Sequence, residues 1–263
     1  MKKNEHIALQ VQNLCIGYTS KKETNVIADR LTFSLKQGEL SAIVGVNGIG
    51  KSTLLRTLGK VQARISGSIA LGHQELKSFT AMELAATISL VLTEPLASKN
   101  LTVLELIALG RQPYTNWIGK LSATDKSKIH EAISMVDLDG LKNKKCYELS
   151  DGQLQRVMIA RALAQDTSII LLDEPTSHLD LHHKVQILKL LKYIAHKTKK
   201  TILFTSHEIE MAIQLCDKIL IMNNESHEFG EPCELIENKS FERLFPEDTV
   251  KFDAKTGSFK IEK

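Results

Sequence analysis

Apolar residues recur along the chain with the two periods that are typical of strands and of helices. Short apolar runs of the strand type occur at residues 7–11, 31–35, 40–44, 169–172, 201–204 and 219–222. Apolar positions at helical spacing cover residues 154–162 and 187–195. Because strands that alternate with helices usually pair in parallel, the pattern predicts an α/β fold with a mostly parallel sheet covered on both faces.

The pattern changes twice. Over residues 102–165 the strand signal disappears, and helical periodicity covers residues 103–109, 125–136 and 153–164. This stretch predicts an α-helical subdomain inserted into the α/β core. Near the end, apolar residues alternate on both sides of turn residues 253–257, which predicts a C-terminal β-hairpin.

We therefore predict a single domain with three parts. Residues 1–95 and 166–240 form the α/β core, residues 96–165 the helical subdomain, and residues 241–263 the tail with its hairpin. The length of 263 residues allows one or two domains, and no repeat or long linker divides the chain.

Composition narrows the class of protein. The net charge is +3, from 34 Lys and Arg against 31 Asp and Glu, so we expect no nucleic-acid partner. A charged fraction of 25% excludes disorder as the dominant state. The apolar runs are far shorter than the ~20 residues that span a bilayer, and the polar start leads into no signal-peptide core. Scattered cysteines without a Cys-x-x-Cys pair are typical of a reducing cytosol, so we expect a soluble, unexported protein.

A glycine-rich segment follows the apolar run 40–44. It reads Gly45-Val46-Asn47-Gly48-Ile49-Gly50-Lys51-Ser52-Thr53, which has the form G-x-x-x-x-G-K-S. The glycines let backbone N–H groups surround a phosphate, and a following helix adds its positive dipole end. Lys51 supplies charge to the β- and γ-phosphates, and the Ser52 hydroxyl is a magnesium ligand. A chance glycine-rich turn is the alternative, but the strand before it and the helical pattern after it favour a nucleoside triphosphate site.

Two adjacent carboxylates end the apolar run 169–172. Asp173 is placed to hold magnesium, and Glu174 to polarise the attacking water. A purely structural Asp-Glu turn is the alternative. His207 follows the run 201–204, where a packed loop histidine is the simpler interpretation. At the carboxyl edge of an open α/β sheet, however, it is a candidate contact for the γ-phosphate.

A third motif, Leu149-Ser150-Asp151-Gly152-Gln153, precedes a helical pattern. Ser150 and Gln153 form an S-x-x-Q capping box, which any helix can carry. A helix N-terminus with serine and glycine is also an anion site. At this point the sequence resembles the ATP-binding subunits of ABC transporters, whose signature is Leu-Ser-Gly-Gly-Gln.

The resemblance extends over nearly the whole chain. Residues 45–53 match the Walker A motif, residues 169–174 the Walker B motif, residues 177–180 the D-loop, and His207 the switch histidine. It implies that Tyr18 stacks on adenine and that Glu174, His207 and Lys51 are catalytic. It also implies that Ser150, Gly152, Gln153 and Asp180 contact nucleotide. The implied fold is a P-loop NTPase core with an antiparallel β portion near the N-terminus.

Two positions depart from the family pattern. Asp151 replaces a signature glycine, and we expect its carboxylate to turn away from the triphosphate. Glu94 stands where the family usually has a glutamine that offers oxygen to magnesium. Glutamate can still ligate magnesium, so the expected metal ligands are Ser52, Glu94 and Asp173, with ATP and Mg²⁺ as cofactors.

The resemblance also implies partners. One phosphate loop and one signature indicate a head-to-tail homodimer in which the signature of one subunit covers the ATP of the other. Transport requires integral-membrane permease subunits and an extracytoplasmic substrate-binding protein, with this chain on the cytoplasmic face of the membrane. Residues 109–117 resemble a stretch in subunits that serve importers of iron(III)-siderophores, heme and cobalamin. Ordinary packing of Tyr114 and Trp117 is an equal alternative.

Other functions remain open from the sequence. The ATPase motifs also suit another ABC importer or an exporter. A non-transport ABC ATPase acting on DNA or ribosomes is disfavoured, because the sequence has neither a long coiled-coil insertion nor a second ATPase unit. His182 and His183 are adjacent and lack the spacing of a metal site, so we interpret them as surface residues.

Overall fold

The fold combines two sheets, a set of helices and a terminal hairpin. The structure is a computed structural model that describes residues 6–20, 23–94, 96, 98–224, 226–245 and 250–261. The strands are β1 (Ile7–Thr19), β2 (Thr24–Lys36), β3 (Leu40–Val44), β4 (Ser66–Leu71), β5 (Gln74–Glu75), β6 (Ile88–Val91), β7 (Ile169–Leu172), β8 (Thr201–Ser206), β9 (Lys218–Met222), β10 (His227–Gly230), β11 (Val250–Asp253) and β12 (Ser258–Ile261). The α-helices are α1 (Lys51–Leu58), α2 (Ala81–Thr87), α3 (Val103–Ala108), α4 (Ala123–Met135), α5 (Asp151–Ala164), α6 (Leu181–Thr198), α7 (Ile209–Leu215) and α8 (Pro232–Glu237).

A six-stranded sheet lies at the centre, in the order β10-β9-β3-β8-β7-β6. Its strands run parallel except β10, which is antiparallel to β9. An antiparallel sheet with the order β2-β1-β4-β5 comes from the first part of the chain, and β11 pairs with β12 in a hairpin. The predicted α/β class, parallel sheet, antiparallel portion and hairpin are confirmed.

The central sheet is buried on both faces. Along β3, Ala42 and Val44 pack into a core shared with α3 to α8. Ile43, between them, packs into a second core formed with the antiparallel sheet and α1. Since successive side chains of a strand point to opposite faces, burial on both faces produces a continuous apolar run. Helices therefore cover one face, and the second sheet with α1 covers the other.

The first strand is longer than its apolar alternation predicts. Leu9 and Val11 are buried in β1, and burial resumes out of phase at Leu14 and Ile16. Asn13 has a positive φ of 46°, and the pairing of β1 with β2 shifts between Val11 and Leu14. An extra residue at this bulge changes which positions face the core, so the alternation breaks at residue 11.

A buried ion pair holds the helical part of the chain together. Arg111 donates through Nε to Asp125 at 2.8 Å and through Nη1 to the Ala164 carbonyl at 2.8 Å. Its guanidinium lies 3.9 Å from the centre of the Tyr114 ring. Hydrogen bonds from Ser122, with a smaller contribution from Arg111, hold the pKa of Asp125 below its usual range. The pair thus connects the segment after α3 with the start of α4 and the end of α5.

Residues 109–117, the segment that resembles importer subunits, therefore contribute in part to packing within the chain. Tyr114 packs on Arg111, whereas Trp117 is 94% exposed. A Cβ at Gly110 would lie 2.3 Å from the Arg161 carbonyl, so glycine allows this segment to approach α5.

Of the helices in the described part of the chain, none combines the length and hydropathy needed to cross a bilayer.

We expect Arg111→Leu to lower the free energy of unfolding by roughly 3–5 kcal/mol, because the buried Asp125 carboxylate loses its charged partner. Arg30→Leu is the matched control, since Arg30 pairs with Asp29 at 3.2 Å on the surface. Exposed pairs contribute about 0–1 kcal/mol. Chemical denaturation measures both variants, and equal losses would contradict a special role for the buried pair.

Candidate functional site

The glycine-rich loop connects β3 to α1 through a backbone that few other residues could adopt. Gly50 caps α1 with a φ of 106°, and Gly48 has a φ of 81°. A Cβ on Gly50 would lie 2.4 Å from Ile27, and one on Gly45 would lie 2.4 Å from the Met222 carbonyl. Conformation and close approach thus both require glycine in this loop.

Lys51, the first residue of α1, is only 5% exposed. Its Nζ donates to the carbonyl oxygens of Gly45 at 2.8 Å and Val46 at 3.1 Å. Burial lowers the pKa of Lys51, and the negative charges of Glu174 and Asp173 partly oppose this effect. The ammonium group is therefore held over its own loop and within the field of the acidic pair.

The Asp173 carboxylate, which follows β7, joins several neighbouring segments. Its Oδ1 accepts hydrogen bonds from Ser52 Oγ at 2.8 Å and Thr205 Oγ1 at 2.7 Å. Its backbone N–H donates to the Val91 carbonyl at 2.8 Å. Thr205 Oγ1 also accepts the backbone N–H of Glu174 at 2.8 Å. These bonds connect the start of α1 with the carboxyl ends of β6, β7 and β8.

The side chains of Glu174 and His207 lie within hydrogen-bond distance of each other beside the phosphate loop. The distance from Glu174 Oε2 to His207 Nε2 is 2.9 Å, and both side chains are partly exposed. Glu174 has a positive φ of 48°. A left-handed backbone at a non-glycine residue costs energy and is often found at functional sites.

A cleft of about 420 Å³ lies over these groups. It is lined by Asn47, Gly48, Gly50, Lys51, Ser52, Thr53, Glu174 and His207. The structure thus brings these eight predicted site residues together. Gly45 and Asp173 lie directly beside them, through their hydrogen bonds to Lys51 and Ser52.

Glu94 and Tyr18 lie outside the lining of this cleft. Glu94 pairs with Arg56 of α1 at 3.3 Å, and it borders a separate cavity of about 180 Å³ that Asp151 and Asp173 also line. Tyr18 is 53% exposed near the end of β1. Glu94 is therefore close to the acidic pair but is held by an arginine of the phosphate-loop helix.

The signature residues begin α5. Ser150 Oγ accepts the Gln153 N–H at 3.3 Å, and Gln153 Oε1 accepts the Ser150 N–H at 3.1 Å, so the predicted capping box is present. Asp151 occupies the first turn, where a carboxylate interacts favourably with the helix dipole. Asp180 likewise caps α6 by accepting the His183 N–H at 2.9 Å. Neither group lines the 420 Å³ cleft.

Two residues of this region were not predicted. Thr205 is polar at the end of a strand that is buried throughout, and a buried hydroxyl needs a hydrogen-bond partner. This signal could have indicated a partner nearby. Arg56 carries no comparable signal, because an arginine on a helix usually faces solvent.

The fold and the site define a P-loop nucleoside triphosphatase. The sequence model of the ABC transporter family matches residues 28–177. The petrobactin import ATP-binding protein FpuD of Bacillus anthracis is 34% identical over 239 residues, which cover 90% of this chain and 86% of that protein.

Two solved structures extend the comparison. A metal-chelate type ABC transporter in an inward-facing conformation matches with a TM-score of 0.78 and 31% identity, over 91% of this chain and 89% of that one. A dimeric ATP-binding cassette with ADP and phosphate matches with a TM-score of 0.70 and 29% identity, over 84% and 97%. The chain belongs to the ABC transporter family, as an ATP-binding subunit.

We expect Thr205→Val to lower the ATP hydrolysis rate by roughly 10–100-fold, because Asp173 and the Glu174 N–H both lose a partner that orients them. Thr201→Val is the matched control in the same buried strand, where the hydroxyl donates to the Lys36 carbonyl at 3.0 Å. Both variants should lose about 1–3 kcal/mol of stability. Steady-state ATPase assays separate them, and equal activities would contradict the assignment.

Proposed function

We propose that this chain hydrolyses ATP to energise the import of a metal chelate through a membrane permease. The observation that carries the proposal is the convergence of Lys51, Ser52, Glu174 and His207 on one cleft. The likeness to a petrobactin import protein and to a metal-chelate type transporter supports an iron(III)-siderophore or a similar chelate as cargo.

Lys51 and the loop N–H groups hold the triphosphate in this proposal. The ammonium group exchanges the carbonyls of Gly45 and Val46 for oxygens of the β- and γ-phosphates. A buried cation is electrostatically effective because little water screens it. Lys51 therefore stabilises the negative charge that develops during phosphoryl transfer.

Ser52 and Asp173 fit the requirements of a Mg²⁺ site. A hydroxyl and a carboxylate are the hard oxygen donors that Mg²⁺ prefers, and these two lie 2.8 Å apart. Glu94 would add a third oxygen after it leaves Arg56. Held by these oxygens, the ion would supply positive charge that offsets part of the negative charge of the triphosphate.

Glu174 and His207 act on the hydrolytic step. The Glu174 carboxylate accepts a hydrogen bond from the attacking water and orients it toward the γ-phosphate. His207 contacts the γ-phosphate, and its pairing with Glu174 holds both side chains at the edge of the cleft. Tyr18 stacks on the adenine.

The signature and the D-loop work on the ATP of a second copy. Ser150, Gly152, Gln153 and Asp180 are absent from the lining of the cleft, so within one chain the ATPase site lacks them. In a head-to-tail homodimer they cover the neighbouring nucleotide. The dimeric cassette among the structural neighbours supports this arrangement.

We assign residues 96–165 as the helical subdomain and, with the loop around Glu94, as the region that receives the permease. The remaining partners are integral-membrane permease subunits and an extracytoplasmic substrate-binding protein. The chain then works at the cytoplasmic face of the membrane. ATP-driven closure of the dimer and its reopening after hydrolysis move the permease between its conformations.

We expect Glu174→Gln to retain ATP binding, to slow hydrolysis by roughly 10²–10⁴-fold, and to accumulate an ATP-bound dimer, because the water loses its base while the phosphate contacts remain. Fluorescent nucleotide titration, phosphate release and size-exclusion chromatography with light scattering measure the three effects. Glu131→Gln, on the exposed face of α4, is the control. Hydrolysis at the wild-type rate would overturn the role of Glu174.

The transport assignment is tested by purifying the native complex and identifying its permease. In proteoliposomes we expect one class of chelate, iron(III)-siderophore, heme or cobalamin, to stimulate ATP hydrolysis in the presence of its binding protein. Purification with ribosomes and without a membrane protein would contradict transport. Stimulation by a cargo that is exported would contradict import while leaving the ATPase mechanism intact.

A further inference from the structure

The first turn of α6 is tied to the D-loop, residues 177–180, by one imidazole. Asp180 Oδ1 accepts the backbone N–H of His183 at 2.9 Å, and Asp180 Oδ2 lies 2.8 Å from His183 Nδ1. These two hydrogen bonds hold the pKa of Asp180 below its usual range. The carboxylate and the imidazole therefore hold each other in one relative orientation.

The same imidazole packs against the signature segment, residues 149–153. Gly152 is buried in the first turn of α5. A Cβ at this position would lie 3.0 Å from His183 Cδ2 and 3.4 Å from its Cγ, which is tighter than ordinary van der Waals contact. The absence of a side chain at Gly152 thus allows the ring and α5 to approach this closely, and His183 bridges the D-loop and the signature within one chain.

The next residue of the helix connects to a third loop. Lys184 forms an ion pair with Glu208, which directly follows His207. The first turn of α6 therefore contacts the signature, the D-loop and the loop that holds His207. His183 itself is absent from the lining of the 420 Å³ cleft, so its contacts are separate from those of the ATP-binding groups in the same copy.

We propose that His183 is a positioning residue that joins the signature and Asp180 into one rigid surface for the second copy of the chain. The inference rests on the proposed function, because it requires two copies to pair over ATP. Groups that are already ordered lose less conformational freedom on association, which strengthens binding. Without the imidazole, Asp180 loses a hydrogen bond and Gly152 loses its packing partner, so the two halves of the surface move independently.

The test compares His183→Ala with its parent in the Glu174→Gln background. In this background hydrolysis is slow, so the ATP-bound dimer does not dissociate through turnover. We expect the protein concentration for half-maximal dimerisation with ATP to rise about tenfold. Sedimentation velocity with and without ATP measures it. Fluorescent nucleotide titration below the dimerisation range should show unchanged ATP affinity, and the melting temperature should stay close to that of the parent.

His182→Ala is the matched control. His182 is the same residue type in the same turn, and its ring lies 5.7 Å from that of His183. Its Nε2 contacts the side-chain amide of Gln186 rather than Asp180. We expect His182→Ala to dimerise like the parent.

A double-mutant cycle tests the contact itself. Gly152→Ala should weaken the ATP-dependent dimer more when His183 is present than in the His183→Ala background, because the added methyl group meets the ring only in the former. Equal effects in both backgrounds would show that the contact does not act on the interface.

The possible outcomes distinguish a failure of the proposed function from a failure of the role assigned to His183. If the Glu174→Gln parent fails to dimerise with ATP, the proposed function fails and the inference falls with it. If the parent dimerises and His183→Ala dimerises equally well, only the inference is overturned. A His183→Ala variant that loses ATP affinity as a monomer, or that melts well below the parent, would show a general structural role and would also overturn it.

Discussion

The buried carboxylate of Asp173 is the constraint on which the rest of the site depends. A carboxylate that is 4% exposed at the end of a strand is costly unless hydrogen bonds replace water. Ser52 and Thr205 supply them from α1 and β8. Because parallel strands end at the same edge of the sheet, one side chain fixes the phosphate loop, the acidic pair and the start of the His207 loop relative to each other.

The chemistry of the chain is divided between two surfaces. The groups that we propose for phosphate binding and hydrolysis converge on the cleft. The signature and Asp180 form a second group, joined to each other through His183. Rigid secondary structure supports both, since the phosphate loop starts α1 and the capping residues Ser150 and Asp180 start α5 and α6. The proposed site, which is assembled from two copies, uses both surfaces.

The sequence predicted strand boundaries best where a strand is buried on both faces. The apolar runs 40–44 and 169–172 coincide with β3 and β7, because both faces of these strands are buried and every residue is constrained. β1 and β2 were predicted only in part. The bulge at Asn13 breaks the alternation of β1, and the first half of β2 is largely exposed, so neither carries a continuous pattern. β4, β5, β6 and β10 were not predicted.

The sequence by itself determined the nucleotide chemistry. Gly45 to Thr53, Asp173 with Glu174, and the capping box at Ser150 are local patterns in which neighbouring residues must occur together. Only the tertiary structure decided which partners contact the individual site residues. Thr205 contacts Asp173, Arg56 contacts Glu94, and His183 contacts Gly152. The first two pairs are separated by 32 and 38 residues. A contact between residues so far apart in the sequence depends on strand order and helix packing. The residues next to either partner in the sequence do not encode these features.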